Sequence, residues 1–233
     1  MTLTTSKTLL AASLVLASLS ASASQIPFYD TFGALPQATF GGSGIPNTAV
    51  AISTFNSKVG GFSLGTVTLG LTATARNANP VVSNDGHGTF TASVGVDKSS
   101  PLSIFEQLAR WNIDFYVGGN AAAVGLYNYR LLFDTDPTSG VSFKTMPLSF
   151  GIGFATQDSL NLGADVEQLV YGYGFKPNTP GQYSIRLEAF NSNGIADFAA
   201  INVNVVPEPV SFALLGIGLA GVGLARRKQR RAV

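Results

Sequence analysis

The sequence predicts a mainly β protein, an antiparallel β-sandwich ectodomain held between an N-terminal signal peptide and one C-terminal transmembrane helix. Three observations point there. Apolar and polar residues alternate at period two through the middle of the chain, 26 glycines punctuate it while charged residues make up only 12%, and both ends pair an apolar run with cations. The expected boundaries are 1–23 for the signal peptide, 24–205 for the ectodomain and 206–233 for the tail.

At the N-terminus Lys7 precedes an apolar stretch from Leu9 to Leu19, too short to anchor a protein permanently. Ala21-Ser22-Ala23 then supplies the small-x-small site for signal peptidase, with cleavage after Ala23.

The strands follow in order. One is expected near Ala49 to Phe55. In Gly65 to Arg76, Val67, Leu69, Leu71, Ala73 and Ala75 share one face while Thr66, Thr68, Thr72 and Thr74 share the other, read as the wet face of a sheet. A third strand is expected near Gly88 to Val96. Only Ser100 to Ala109 looks helical, with Ser100 as N-cap and Pro101 in the first helical position. Trp111, Ile113, Phe115 and Val117 alternate with Asn112, Asp114 and Tyr116, and Tyr127, Tyr129, Leu131 and Phe133 alternate with Asn128, Arg130, Leu132 and Asp134. After a strand near Leu148 to Phe154, the clearest hairpin sets Tyr183, Ile185, Leu187 and Ala189 against Ala199, Ile201, Val203 and Val205 across Asn191-Ser192-Asn193-Gly194. Asn202 and Asn204 are expected to face water. Eight or nine short strands without a fixed-period repeat favour a two-sheet sandwich over a solenoid or propeller.

The tail has three parts. Pro207 and Pro209 fix two φ angles and hold Val206 and Glu208 extended, so the chain leaves its last strand as a stiff stalk. Val210 to Ala225 is uncharged, and as a helix its sixteen residues rise roughly 24 Å against a hydrocarbon core of about 30 Å. Such a span thins the bilayer locally or lets flanking arginines snorkel. Arg226, Arg227, Lys228, Arg230 and Arg231 within the basic tail 226–233 belong on the cytoplasmic side, with Glu208 and everything before it outside.

Val206-Pro207-Glu208-Pro209, the span Leu214 to Gly221 and the arginine cluster resemble the PEP-CTERM sorting domain, also called the ice-binding protein C-terminal domain. The resemblance implies processing near Pro207-Glu208-Pro209 by exosortase, a membrane-embedded cysteine protease of Gram-negative bacteria that also make exopolysaccharide. Members of this family are substrates, so no catalytic residue is implied.

With both ends set aside, residues 24–205 carry 8 basic and 12 acidic groups, a net charge near −4. No basic face is available to neutralise phosphates, which argues against nucleic acid as a partner. The absence of cysteine rules out disulfides, thiolate metal sites and a cysteine nucleophile.

Chemistry-bearing motifs are sparse. His87, the only histidine, falls in the turn Asn84-Asp85-Gly86-His87-Gly88 and reads as an exposed loop residue; no H-E-x-x-H and no second histidine exists to build a zinc site. Asp114, Asp134, Asp136 and Glu188 are the candidates for a carboxylate pair of glycosidase type, though nothing pairs them in sequence. Asp134-Thr135-Asp136-Pro137-Thr138-Ser139-Gly140 begins like a calcium loop. Its glycine is one place late and its twelfth position is Thr145, so turn formation is the first reading and calcium the alternative. The threonine face is one strand broken by Gly70, unlike the flat repeated array that ice recognition needs. Tyr171 and Tyr173, flanked by glycines, are the candidates for stacking on exopolysaccharide sugars.

The expected function is that of an exported surface or extracellular-matrix protein, structural or adhesive and without catalysis, with exosortase and signal peptidase as processing partners and a transient stay in the inner membrane. The alternatives are a secreted carbohydrate-active enzyme using two of the named carboxylates, or a polysaccharide- or calcium-binding module.

Overall fold

A computed structural model describes residues 26–77, 79–97, 108–138, 140–148, 156–163 and 175–207. Among them the elements run β1 (Thr31–Gly33), β2 (Val50–Val59), β3 (Phe62–Ala75), β4 (Ser83–Asn84), β5 (Thr89–Ser93), β6 (Leu108–Gly119), α1 (Ala121–Val124), β7 (Asn128–Asp134), β8 (Phe143–Leu148), β9 (Gln157–Gly163), β10 (Gly181–Asn191) and β11 (Gly194–Val206). They form two sheets, one of order β1-β2-β3-β6-β9 and one of order β4-β5-β11-β10-β7-β8. The expected signal peptide and the expected transmembrane span lie outside the described residues.

The period-two faces meet in the middle of this sandwich. Val67, Leu69, Leu71, Trp111, Ile113 and Val117 from the first sheet pack with Tyr129, Leu131, Tyr183, Ile185, Leu187, Ile201 and Val203 from the second, all essentially without solvent contact. Each large polar-tipped aromatic finds a carbonyl for its donor. Trp111 Nε1 donates to Pro177 O at 3.1 Å, Tyr183 Oη to Thr179 O at 2.8 Å and Tyr129 Oη to Val124 O at 2.9 Å. Burial of these rings therefore leaves no hydroxyl or indole proton stranded.

The outer face of the first sheet departs from the expected wet surface. The segment between β1 and β2 folds back over it as a strap, and Leu35, Ala38 and Phe40 form a second small core with Val50, flanked by Ile45, Ile52 and Tyr116. A Cβ at Gly70 would stand 2.6 Å from Leu35 Cδ2, so the glycine that interrupts the threonine row is what lets the strap approach. Gln157 Oε1 pins the strap by accepting from Thr39 N at 2.8 Å and Phe40 N at 2.9 Å. Thr72, Thr74, Asn112 and Asp114 are consequently buried; only Thr66 of the row is fully exposed and Thr68 half-buried. Thr72 Oγ1 donates to Ala49 O at 2.6 Å, which satisfies it under the strap.

Other expectations are corrected locally. Asn202 is buried and accepts from Ser184 Oγ at 2.9 Å, while Asn204 stays half-exposed. Leu108 and Ala109, expected to end the helix, begin β6, and the rest of that segment lies outside the described residues. Leu148, expected to open a strand, closes β8, with residues 149–154 likewise outside. β1, β4 and β9 are strands that the pattern did not foretell. β5 pairs with β11 in parallel, from Asn202↔Thr89 to Val206↔Ser93, whereas every other pairing of described strands is antiparallel. The last hairpin matches its expectation, with Ser192-Asn193 as the turn and Gly194 at φ +113°.

The final strand lies inside its sheet, between β5 and β10, and its ladder ends at Val206. A chain ended after Pro207 is therefore expected to melt at the same temperature as the chain that retains the tail. Val203→Ala and Val205→Ala should each cost about 2 kcal/mol, read in urea melts of the chain ended after Pro207. A truncated chain that melts markedly lower would show that the tail contributes to the fold.

Candidate functional site

The junction between body and tail is built by β11. Val203 pairs with Tyr183 on one side and Phe90 on the other, Val205 with Gly181 and Ala92, and Val94 N donates to Val206 O at 2.9 Å. Val205 is buried, Val206 is 36% exposed and Pro207 lies in solvent. Proline has no N–H to continue a ladder, so the folded body stops where the sorting tripeptide begins. Glu208, Pro209, Arg226 and Arg227 lie outside the described residues, as do Ala21 and Ala23. Among the described residues no helix is long and apolar enough to cross a membrane.

Tyr171 and Tyr173 also lie outside them. Phe175, which closes that glycine-flanked segment, is buried and sits 5.3 to 6.2 Å, centroid to centroid, from the rings of Trp111, Phe133 and Tyr183. Its ring is a core wedge rather than an exposed platform.

The aspartate loop works as a turn. Asp134 is buried, and its Oδ1 accepts from Asp136 N at 3.0 Å and Ser142 N at 2.9 Å, tying the two ends of the loop together. Asp136 Oδ1 accepts from Thr138 N at 2.9 Å; bonds from the Thr138 hydroxyl and amide hold this carboxyl below the usual range. These are Asx turns, in which the side chain replaces a backbone acceptor. No group of three or more His, Cys, Asp or Glu able to hold a metal occurs among the described residues. His87 is exposed in a similar turn, where Asp85 Oδ1 accepts from His87 N at 2.7 Å and Thr89 N at 3.0 Å.

Asp114, Asp134 and Glu188 do not converge, and Asp136 shares the turn of Asp134. Asp114 faces the strap from β6, in the other sheet from Asp134 and Glu188. Asp134 follows Phe133, the partner of Ile185, and so stands about four residues along the sheet from Glu188, roughly 13 Å at strand rise. Glu188 is buried between two guanidinium groups, with Arg130 Nε at 2.6 Å from Oε2 and Arg186 Nε at 2.8 Å from Oε1. Arg130 covers the Phe190 ring at 4.5 Å and Arg186 the Phe198 ring at 3.7 Å, while Phe28 stacks on Phe198 at 4.2 Å. The carboxylate is thus enclosed by its partners and their aromatic covers. The spacing Arg186, Glu188, Phe190 on one strand face was a readable sign of this cluster that sequence reasoning missed.

A second polar cluster was also missed. Under the strap, a pocket of about 400 Å³ is lined by Ser43 to Pro46 on one side and by Thr74, Arg76, Asn112 and Ser159 on the other. Asn112 Nδ2 donates to Ser159 Oγ at 3.1 Å, and Thr74 Oγ1 donates to Asp114 Oδ2 at 2.7 Å. Burial pushes the Asp114 carboxyl up to about 6; the Ser159 and Thr74 hydroxyls oppose that rise and nearby Asp158 adds to it. The signal for this site was present in Asp114 and Thr74 as outward-facing positions, but the strap that buries them is irregular and has no period.

Two measurements follow from these geometries. Asp134→Ala should cost about 1–3 kcal/mol because two backbone N–H groups lose their acceptor, and the parent protein should melt identically with calcium or chelator. A calcium-dependent rise abolished in the variant would establish the metal reading instead. For Asp114, the carboxyl is neutral in both states below about pH 4. Between about pH 4 and 6 the folded chain holds a proton that the unfolded chain has lost, so stability falls with rising pH and stays lower above the folded pKa of about 6. Asp114→Asn should flatten that decline and be more stable than the parent by about 2–3 kcal/mol near pH 7.5, with little difference at pH 4. Parallel stability curves for parent and variant would contradict the buried-carboxyl account.

No curated protein and no solved structure gives a significant match to this chain. The family comparison falls on the stretch that begins within the last two residues of β11: residues 205–231 match the PEP-CTERM protein-sorting motif, so the chain carries the signal of an exported protein directed to the cell surface with exosortase as its processing partner.

Proposed function

We propose that the body is a structural or adhesive component of the cell surface or extracellular matrix, without catalysis, and that the tail is an address removed on the way. Signal peptidase cuts after Ala23. Residues 210–225 hold the chain in the inner membrane with Arg226 and its neighbours on the cytoplasmic side, and exosortase then processes the segment around Pro207-Glu208-Pro209. The setting is a Gram-negative cell that secretes exopolysaccharide, the partner that Tyr171 and Tyr173 would contact.

One observation carries this reading. Among the described residues the last ladder ends at Val206 and the last core residue is Val205, so the fold of the body is complete before Pro207. A separable tail is what a processing signal requires. The non-catalytic reading is supported by the engagement of Asp134 and Glu188 in turns and ion pairs, which leaves neither poised as an acid or base.

Mass spectrometry of the protein recovered from its native host tests the reading. The expected mature form begins at Ser24 and ends within a few residues of Pro207. Recovery of surface protein with residues 210–233 intact would overturn the processing.

A further inference from the structure

We infer that the pole of the sandwich from which the tail leaves rests on the phospholipid headgroups for as long as the tail is in the membrane. This inference rests on the proposed reading of residues 210–225 as a membrane span. The length of chain between body and bilayer carries it. Val206 is still hydrogen-bonded into the sheet, and the uncharged run begins at Val210, so the tether is Pro207-Glu208-Pro209. Three residues reach about 10 Å when fully extended. The headgroup layer of one leaflet occupies about 5–8 Å of that distance. The run itself is short for the hydrocarbon core, which draws the tripeptide further into the interface. Even fully extended, the tether lifts Val206 no more than a few ångström above the headgroups.

The surface brought down is fixed by topology. Val206 pairs with Ser93, and because Ser83 pairs with Thr91, Val81 lies at the same level on the far side of β5. The loop after β7 reaches the same end, since Gln182 N donates to Pro137 O and Gly181 is the partner of Val205. That loop carries Val141. These three valines are exposed, Val81 to 85%, and Lys176, whose carbonyl accepts from Tyr183 Oη, adds an exposed cation nearby. Small apolar side chains with a cation suit the boundary between headgroup and acyl chain. The other conspicuous apolar tip, Val59 and Phe62 on the β2–β3 turn, belongs to the opposite pole. Tyr127 Oη donates to Ser57 Oγ there, close to Asn128, which marks the far end of the second sheet by its level with Phe190. β11 alone has 13 residues between the two poles, roughly 40 Å at strand rise, so the tether cannot bring that tip to the membrane.

The chain contains no cysteine, so single-cysteine labelling is clean. Val81→Cys, Val141→Cys, Phe62→Cys and Gly218→Cys versions of the full chain, each carrying an environment-sensitive dye, would be reconstituted in phosphatidylcholine–phosphatidylglycerol vesicles. The expected result is strong quenching of the dyes at 81 and 141 by a headgroup-borne quencher, several-fold above that at 62, with the dye at 218 shielded from aqueous quencher. Shielding at 218 together with equal quenching at 81, 141 and 62 would overturn the docking and leave the membrane span standing. An exposed dye at 218 would overturn the span, and the docking with it. Quenching at 81 and 141 that appears only when exosortase is co-reconstituted would assign the surface to the enzyme and overturn the lipid assignment.

Discussion

The structure turns on β11 being hydrogen-bonded along both edges at its C-terminal end. Residues 202–206 are laddered to β5 while residues up to 205 are laddered to β10, and their inward side chains Val203 and Val205 sit in the core. An edge strand could join late with little consequence, but a strand between two neighbours cannot. The β5–β11 pairing joins segments more than a hundred residues apart and is parallel, a connection whose closure entropy is met before its contacts form. The sandwich therefore closes only when residue 206 is free to enter it. With no disulfide to hold an incomplete sheet, packing alone decides whether it does.

Much of this was legible before the fold was known, for a simple reason. Where one face of a strand meets the core and the other meets water, period two survives in the residue types, and β3, β6, β7, β10 and β11 all show it. The tail was legible because rigidity, apolar length and terminal cations are properties of the chain itself. What failed were inferences from the polar face. Thr72, Thr74, Asn112 and Asp114 look wet in sequence, yet they are covered by a strap whose residues 34–47 follow no period. Asn202 looks wet for the same reason and is covered by hydrogen bonding across to Ser184 on β10. The parallel β5 was illegible because direction leaves no mark on alternation. Leu108 and Ala109 were drawn into the expected helix by an N-cap signal at Ser100, which fixes where a helix starts and not where it ends.

The two buried polar clusters resolve the same problem in different ways. Glu188 is flanked by two guanidinium groups, which aromatic rings cover in turn, so its burial is matched by two short ion pairs. Asp114 has hydroxyl partners and no cation, so desolvation prevails and its proton affinity rises. Each carboxylate serves the sheet on which it stands. Both oxygens of Glu188 face guanidinium groups, whereas Asp114 Oδ2 accepts from Thr74 and its Oδ1 has no hydrogen-bond partner.

The same reasoning limits how firmly the body holds to a membrane. Three partly exposed valines contribute at most a few kcal/mol when they enter the interface, which corresponds to a free affinity near the millimolar range. A body of net charge near −4 gains nothing overall from an anionic surface. A three-residue tether nevertheless presents those valines at an effective concentration of millimolar or more. On the proposed reading of the tail, contact lasts while the tail is intact and is lost once it is cut. The pole needs no separate release mechanism, because the bond that is processed is also the source of its local concentration.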